Sequence, residues 1–310
     1  MKTSHPAVVL FEKTLAEAKD GDAVAMVNIG LIYANGEGVV KDDKEAVKWY
    51  RKAAELGHAG AMFSLSFMYA NGEGVIQDDK EAAKWSHKAA ELGHAGAMNN
   101  LGVMYANGEG VVKDDKEAAK WSHKAAELGD ANAMNNLGLM YANGEGVVKD
   151  DKEAVKWYRK AVELGNAEAM FNFGNMYFNG KGVLKDDKEA VKWWRKAAEL
   201  GHAVAMVNIG LMYANGEGVV KDDKEAVKWY RKAAELGNAG AMNNLGFKYA
   251  NGEGVIEDAV EAYGWFNVAA ANGYKRTAEL REMIKNDMTS EQIAEGQKRS
   301  REIMEFLTKK

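Results

Sequence analysis

The side chains best suited to chemistry in this chain of 310 residues are six histidines: His5, His58, His87, His94, His123 and His202. An imidazole can ligate a metal or shuttle a proton, but either task needs partners at defined spacing. The sequence supplies none. It holds no His-Glu-x-x-His, no Gly-x-Ser-x-Gly and no Walker-type phosphate loop. His58, His94 and His202 fill one position of a repeated segment where Asp22, Asp130, Asn166 and Asn238 stand in other copies, an exchange that reads as helix-start chemistry. His87 and His123 replace Arg51-type residues and are expected in solvent. The Asp-Asp-Lys-Glu of residues 42–45 lacks the alternating ligands and central glycine of a calcium loop. With no cysteine there is no thiolate metal site, no cysteine nucleophile and no disulfide. The expectation is a chain that is not an enzyme and carries neither metal nor cofactor.

The chemistry that does recur is an amide row. Asn28, Asn100, Asn136, Asn172, Asn208 and Asn244 share one register, with Ser64 in the remaining place. A carboxamide offers donor and acceptor together and so matches a peptide unit whatever its side chain. Beside it, the position of Val27 becomes Phe63, Asn99, Asn135, Phe171, Val207 and Asn243, and that of Leu31 becomes Phe67, Val103, Leu139, Asn175, Leu211 and Phe247. The phenylalanines would supply apolar anchors for a bound segment. In the alternative reading, each asparagine bonds the backbone of the neighbouring copy and fixes the stacking angle.

These rows need elements to hold them, and the elements repeat. Tyr33-Ala-Asn-Gly-Glu-Gly38 returns from Tyr69, Tyr105, Tyr141, Tyr213 and Tyr249, with a Tyr-Phe-Asn-Gly-Lys-Gly variant from Tyr177. Trp49, Trp85, Trp121, Trp157, Trp193, Trp229 and Trp265 keep the same period, and Trp194 is an extra. A fixed period of this size marks a stack of one supersecondary unit. In the first copy Ala23, Met26, Ile29, Gly30 and Tyr33 follow the three-and-four spacing of a helix with one buried stripe. Asn35-Gly36 ends it. Asp42, three residues before Glu45, predicts a capping box for a second helix, in which the glutamate reaches back to the cap amide. Ala46, Trp49, Ala53 and Leu56 form that helix's apolar stripe before Gly57. Gly30 is expected to admit a close helix carrying the tryptophan. Segment 23–35 carries no charge while 37–55 carries nearly all of it, so positions 24, 27, 28 and 31 form a sheltered uncharged face.

Ala-x-x-x-Leu-Gly-x-x-Tyr-x-Asn-Gly-x-Gly-Val, followed by Asp-x-x-Glu-Ala-x-x-Trp and Lys-Ala-Ala-Glu-Leu-Gly, resembles the Sel-one-like repeat family, a branch of the tetratricopeptide-like α/α superhelices. The resemblance implies an all-α, right-handed α/α solenoid whose first helices line a concave groove. By the tetratricopeptide pattern, the rows named above would face that groove. Family members generally serve as adaptors or scaffolds for protein complexes, several of them bacterial and involved in host interaction. The expected partner is thus a protein or extended peptide in the groove, and an immunity-type or inhibitor protein is a narrower form. Some cysteine-rich members are linked to β-lactam binding, the alternative function, but their paired cysteines are absent here.

The organisation expected is a capping helix in 1–21, seven copies (22–57, 58–93, 94–129, 130–165, 166–201, 202–237 and 238–273), and capping helices in 274–310. Phe11 and Leu15 would pack the first cap on the first copy, and Thr289 or Ser290 would start the last helix. A net charge of −5 argues against a nucleic-acid partner. No run reaches the roughly 18 apolar residues of a membrane span. Residues 7–11 are too short for a secretory core, which leaves the compartment open between cytoplasm and, were a signal removed, the periplasm or exterior. A monomer is expected.

Overall fold

The computed structural model describes residues 6–274 and 276–308; His5 lies outside them. Among the described residues there are seventeen α-helices and no strand. The chain divides into two compact units, Met1–Leu164 and Gly165–Lys310. The first unit holds α1 (Pro6–Lys19) and four helix pairs: α2 (Ala23–Asn35) with α3 (Asp43–Glu55), α4 (Ala59–Asn71) with α5 (Asp79–Glu91), α6 (Ala95–Asn107) with α7 (Asp115–Glu127), and α8 (Ala131–Asn143) with α9 (Asp151–Glu163). The second unit holds three pairs, α10 (Ala167–Asn179) with α11 (Asp187–Glu199), α12 (Ala203–Asn215) with α13 (Asp223–Glu235), and α14 (Ala239–Asn251) with α15 (Ala259–Ala271), then α16 (Thr277–Asn286) and α17 (Ser290–Thr308). Within each unit every first helix packs on its own second helix and, after the first pair, on the second helix of the copy before it, the arrangement of an α/α solenoid.

The caps explain where the helices begin and end. Asp42 Oδ1 accepts the amides of Lys44 and Glu45 at 3.0 and 3.1 Å. The reciprocal half of the expected box is absent: Glu45 turns to Lys48, and the Asp42 amide donates to the Tyr33 carbonyl at 2.9 Å instead. A backbone acceptor already in place leaves the glutamate free for a surface ion pair. Each first helix ends on a left-handed glycine, such as Gly36 at φ 73°. A full reciprocal box stands at the C-terminal end, where Thr289 Oγ1 accepts from the Gln292 amide and Gln292 Oε1 from the Thr289 amide.

The glycine inside the first helix meets a different side chain from the one expected. A Cβ on Gly30 would stand 2.5 Å from the Tyr50 ring, and one on Gly174 would stand 2.6 Å from Trp194. The residue after the repeating tryptophan therefore closes the helix pair, and burial pushes the Tyr50 phenol up to about 12. The tryptophan turns toward the outer side, where Lys52 lies over Trp49 with its ammonium 4.2 Å from the ring centroid. The pairing recurs in six copies and fails at Trp265, because Val268 replaces the lysine.

Two first helices break the uncharged pattern. Glu168 is exposed on α10 and reaches His202 Nε2 at 3.0 Å. Lys248 on α14 stands where Met212 stands one copy earlier, is buried, and donates to Asp223 and Glu253 at 2.6 Å each. The Lys248 ammonium holds the Asp223 carboxyl below the usual carboxylate range.

The two ends differ from the copies. Helix α1 takes the place of a preceding second helix against α2, with Phe11 edge-on to Tyr33 at 5.6 Å between ring centroids and Thr14 and Ala18 buried. Helix α17 lies along α15, where Gly296 meets the Tyr263 ring and Arg299 pairs with Glu261. No helix among the described residues is long and apolar enough to cross a membrane.

Candidate partner-binding face

The first helices present this face to solvent as the spacing implied, uncharged except for Glu168 on α10. In the first unit Asn28 and Leu31 on α2, Phe67 on α4, Val103 on α6 and Leu139 on α8 are exposed, Phe67 to 46%. In the second unit Leu211 and Phe247 are exposed, and Phe171, Asn172, Asn175, Asn208 and Asn244 are half-buried. No charged residue occurs in α2, α4, α6 or α8. A partner lying there would meet aliphatic, aromatic and carboxamide groups only.

The hydrogen bonds sort the asparagines. Asn100 Nδ2 donates to Ser86 Oγ at 3.0 Å and to Ser66 Oγ at 3.4 Å, both in the preceding copy. Asn136 Nδ2 donates to Asn99 Oδ1 at 3.0 Å. These amides tie one copy to the next, so their donors serve the stack. In the second unit Asn175 Oδ1 accepts from Trp194 Nε1 at 3.2 Å, and Asn243 Nδ2 donates to Asn244 Oδ1 at 3.4 Å. Two positions of the expected groove are interior instead. Asn135 is 5% and Asn243 6% exposed, and the Asn243 Oδ1 accepts from Thr277 on α16. Side-chain size alone does not decide this, since Asn99, Val27 and Val207 of the same register stay half-buried. The accessible members of the rows are thus those of the 28 and 31 registers, with Phe63, Asn99 and Phe171 half-buried beside them.

Phe63 and Phe171 have a partner that the sequence rows did not single out. The Phe63 ring centroid lies 4.6 Å from His94 and 4.8 Å from Phe67, and Phe171 stacks on His202 at 4.5 Å. The signal was present: each phenylalanine of that row is followed in the next copy by histidine, and Asn99 and Asn135 by Asp130 and Asn166. His58, His94 and His202 are helix caps, accepting on Nδ1 the amides of Ala61, Ala97 and Ala205 at 3.1–3.2 Å. His87 and His123 are half-buried rather than free in solvent, edge-on to Trp121 and Trp157, because a short ring cannot snorkel as Arg51 does. Among the described residues no group of histidine and carboxylate side chains is placed to hold a metal.

The His94 cap makes stability depend on pH. Nδ1 accepts only when it carries no proton, and burial under Phe63 pushes this imidazole below its ordinary 6.5, against a backbone hydrogen bond at His94 that opposes the shift, with His58 adding to it and Asp130 opposing it. A folded-state value below the unfolded one means that the contribution is complete above 6.5 and is lost as pH falls through the depressed value. Thermal melts at pH 7.5, 6 and 5 should show a falling Tm, and His94→Asn, the residue of the same cap at Asn166 and Asn238, should flatten the profile. An unchanged slope in that variant would remove His94 from the account.

Seven consecutive segments, residues 23–58, 59–94, 95–130, 131–166, 167–202, 203–238 and 239–274, match the model of the Sel1 repeat. Among solved structures, a Sel1 repeat protein from Oxalobacter formigenes is 32% identical, covering 88% of this chain and 80% of that one with a TM-score of 0.76. The antigen c5321 of uropathogenic Escherichia coli is 30% identical over 97% of this chain and 79% of its own, with a TM-score of 0.45. Immunity protein PA5088 from Pseudomonas aeruginosa shares 22% identity over 70% and 82% of the two chains with a TM-score of 0.50, a likeness of fold alone. A search of curated proteins gives no match.

Proposed function

Because the chain belongs to the Sel1 repeat family, we propose that it is a non-catalytic binding module that holds a protein or extended peptide partner against the uncharged face of its first helices. Sel1 repeat proteins generally mediate protein–protein interaction, and the scaffold is generally non-catalytic. The observation that carries the reading is the exposed row Leu31, Phe67, Val103 and Leu139 on helices without a single charge. Exposed apolar side chains in register on a polar protein favour association, since their burial releases water at about 25 cal/mol per Å². Capture of one dedicated partner, in the manner of an immunity protein, is the narrower form of this reading, and the chain would act in it as a monomer.

Recovery of bound protein by the immobilised full chain tests it. The double variant Phe67→Ser and Leu139→Ser should lose a specific partner at least tenfold while keeping its helical circular dichroism. A control at Val112, an exposed loop residue between α6 and α7, should keep it. Equal recovery by all three proteins would place binding elsewhere on the molecule.

A further inference from the structure

One copy of the array lacks a ring that its neighbours have. In five copies the first-helix glycine lies under an aromatic side chain: Gly30 under Tyr50, Gly138 under Tyr158, Gly174 under Trp194, Gly210 under Tyr230 and Gly246 under Phe266. The second copy replaces both members, and Ser66 and Ser86 share a hydrogen bond at 2.6 Å that Asn100 completes. The third copy pairs Gly102 with Ser122, whose Oγ lies against the glycine, 2.5 Å from where a Cβ would stand, and no ring extends beyond it. A cavity of about 160 Å³ lies there, walled by Val103, Leu139 and Met140.

The other copies identify this cavity as the seat of the missing ring. Ser64 bears on the Tyr50 phenol, and the charges of Asp223 and then Glu253 act on the Tyr230 phenol. The counterparts of Ser64 and Glu253 at the same offsets from Ser122 are Asn136 and Glu145, and both line the cavity, whereas Asp115, the counterpart of Asp223, does not. Asn136 and Leu139 belong to the partner-binding face, so the cavity meets that face. On its floor the Ser122 hydroxyl is 1% exposed and has no hydrogen-bond partner, because Asn136 turns its amide to Asn99 while the equivalent Asn100 bonds Ser86. A buried hydroxyl left unpaired asks for a ligand that can donate or accept. An apolar cavity of roughly 150 Å³ is large enough to take up benzene.

We propose that this cavity is a recess for a phenol ring, the side chain of a tyrosine carried by the partner, entering hydroxyl first so that it meets Ser122 Oγ between Val103, Leu139 and Met140. The inference rests on the partner-binding reading above. Its occupant restores from outside the contact that Tyr50, Tyr158 and Tyr230 make from within.

The test uses the full chain and p-cresol, the tyrosine side chain as a free molecule. Methyl-resolved NMR should show saturable shifts at Met140, Val103 and Leu139 with a Kd in about the millimolar range, as suits so small a fragment. Toluene, lacking the hydroxyl, should bind about fivefold more weakly, the worth of one hydrogen bond. Ser122→Tyr recreates the pair seen at Gly138 and Tyr158, so it should fold, raise Tm and abolish the shifts. No shift with p-cresol, or equal shifts in S122Y, would overturn the recess, and toluene binding equally well would overturn the role of Ser122. N-acetyltyrosinamide should bind as p-cresol does; its failure while p-cresol succeeds would make the occupant a small free phenol and overturn the tyrosine assignment. Full partner recovery by S122Y would also overturn that assignment, whereas failure of the face itself is read separately from the Phe67 and Leu139 variant.

Discussion

Gly146→Ala should destabilise the first unit by about 3 kcal/mol or more, far beyond what a loop glycine ordinarily contributes. Two costs coincide at this residue. Its φ of 70° is left-handed, a conformation that costs an L-residue about 1–2 kcal/mol. A Cβ there would also overlap the carbonyl of Asp115, the first residue of α7 in the preceding copy. Relieving such an overlap by backbone shifts costs typically about 1–3 kcal/mol. The shift would fall on the contact between the third and fourth copies, and stack stability is close to a sum of such contacts. Gly129→Ala is the matched control, since φ is 88° but nothing lies within 4 Å of the added atom. Urea denaturation of both variants should separate the two costs, with a broadened or biphasic transition for Gly146→Ala only. Equal effects at the two glycines would mean that the loop yields and that the junction is not a close contact.

Trp194→Ala is the second large expectation, at about 3–5 kcal/mol for an aromatic side chain removed from a packed site. Trp194 is 2% exposed, lies over Gly174, and donates Nε1–H to the Phe171 carbonyl at 3.3 Å and to Asn175 Oδ1 at 3.2 Å. Trp194→Tyr should recover most of the loss, because a tyrosine sits over the matching glycine in three other copies. Trp193→Ala should cost less: its ring is half-buried between Phe173 and the Lys196 ammonium. Thermal unfolding of the three variants gives the order directly. A greater loss at Trp193 than at Trp194 would reverse the assignment of which aromatic closes the helix pair.

That order could not be read from the repeat alone. Trp193 belongs to the periodic tryptophan row and Trp194 is the extra, so spacing marks the former as structural. Both lie on the same second helix one residue apart, about 100° around it, and only the direction of the neighbouring helix decides which turns inward. The same gap explains Gly30, whose close neighbour is Tyr50 rather than Trp49. It explains Asn135 and Asn243 too, which share a register with Phe63 and Phe171 but lie covered. Phe63 and Phe171 stack on His94 and His202 at the edge, and Asn99, the same residue type as Asn135, stays half-buried.

What the sequence by itself determined was most of what is local. The helix starts at Asp42 and its counterparts and the left-handed stops at Gly36 and its counterparts depend on residues within one turn of each other, and such contacts exist wherever that sequence folds. The glutamate half of the capping box failed because the more distant Tyr33 carbonyl had already taken the cap amide. The uncharged face was legible for the same reason, being a property of one helix. Tertiary structure alone decided which members of a register reach solvent, which amides serve the stack, and that Gly102 facing Ser122 leaves a cavity rather than a filled contact. Those outcomes depend on the volumes of two side chains that approach only after neighbouring helices have packed, and a periodic pattern records positions without recording the space between them.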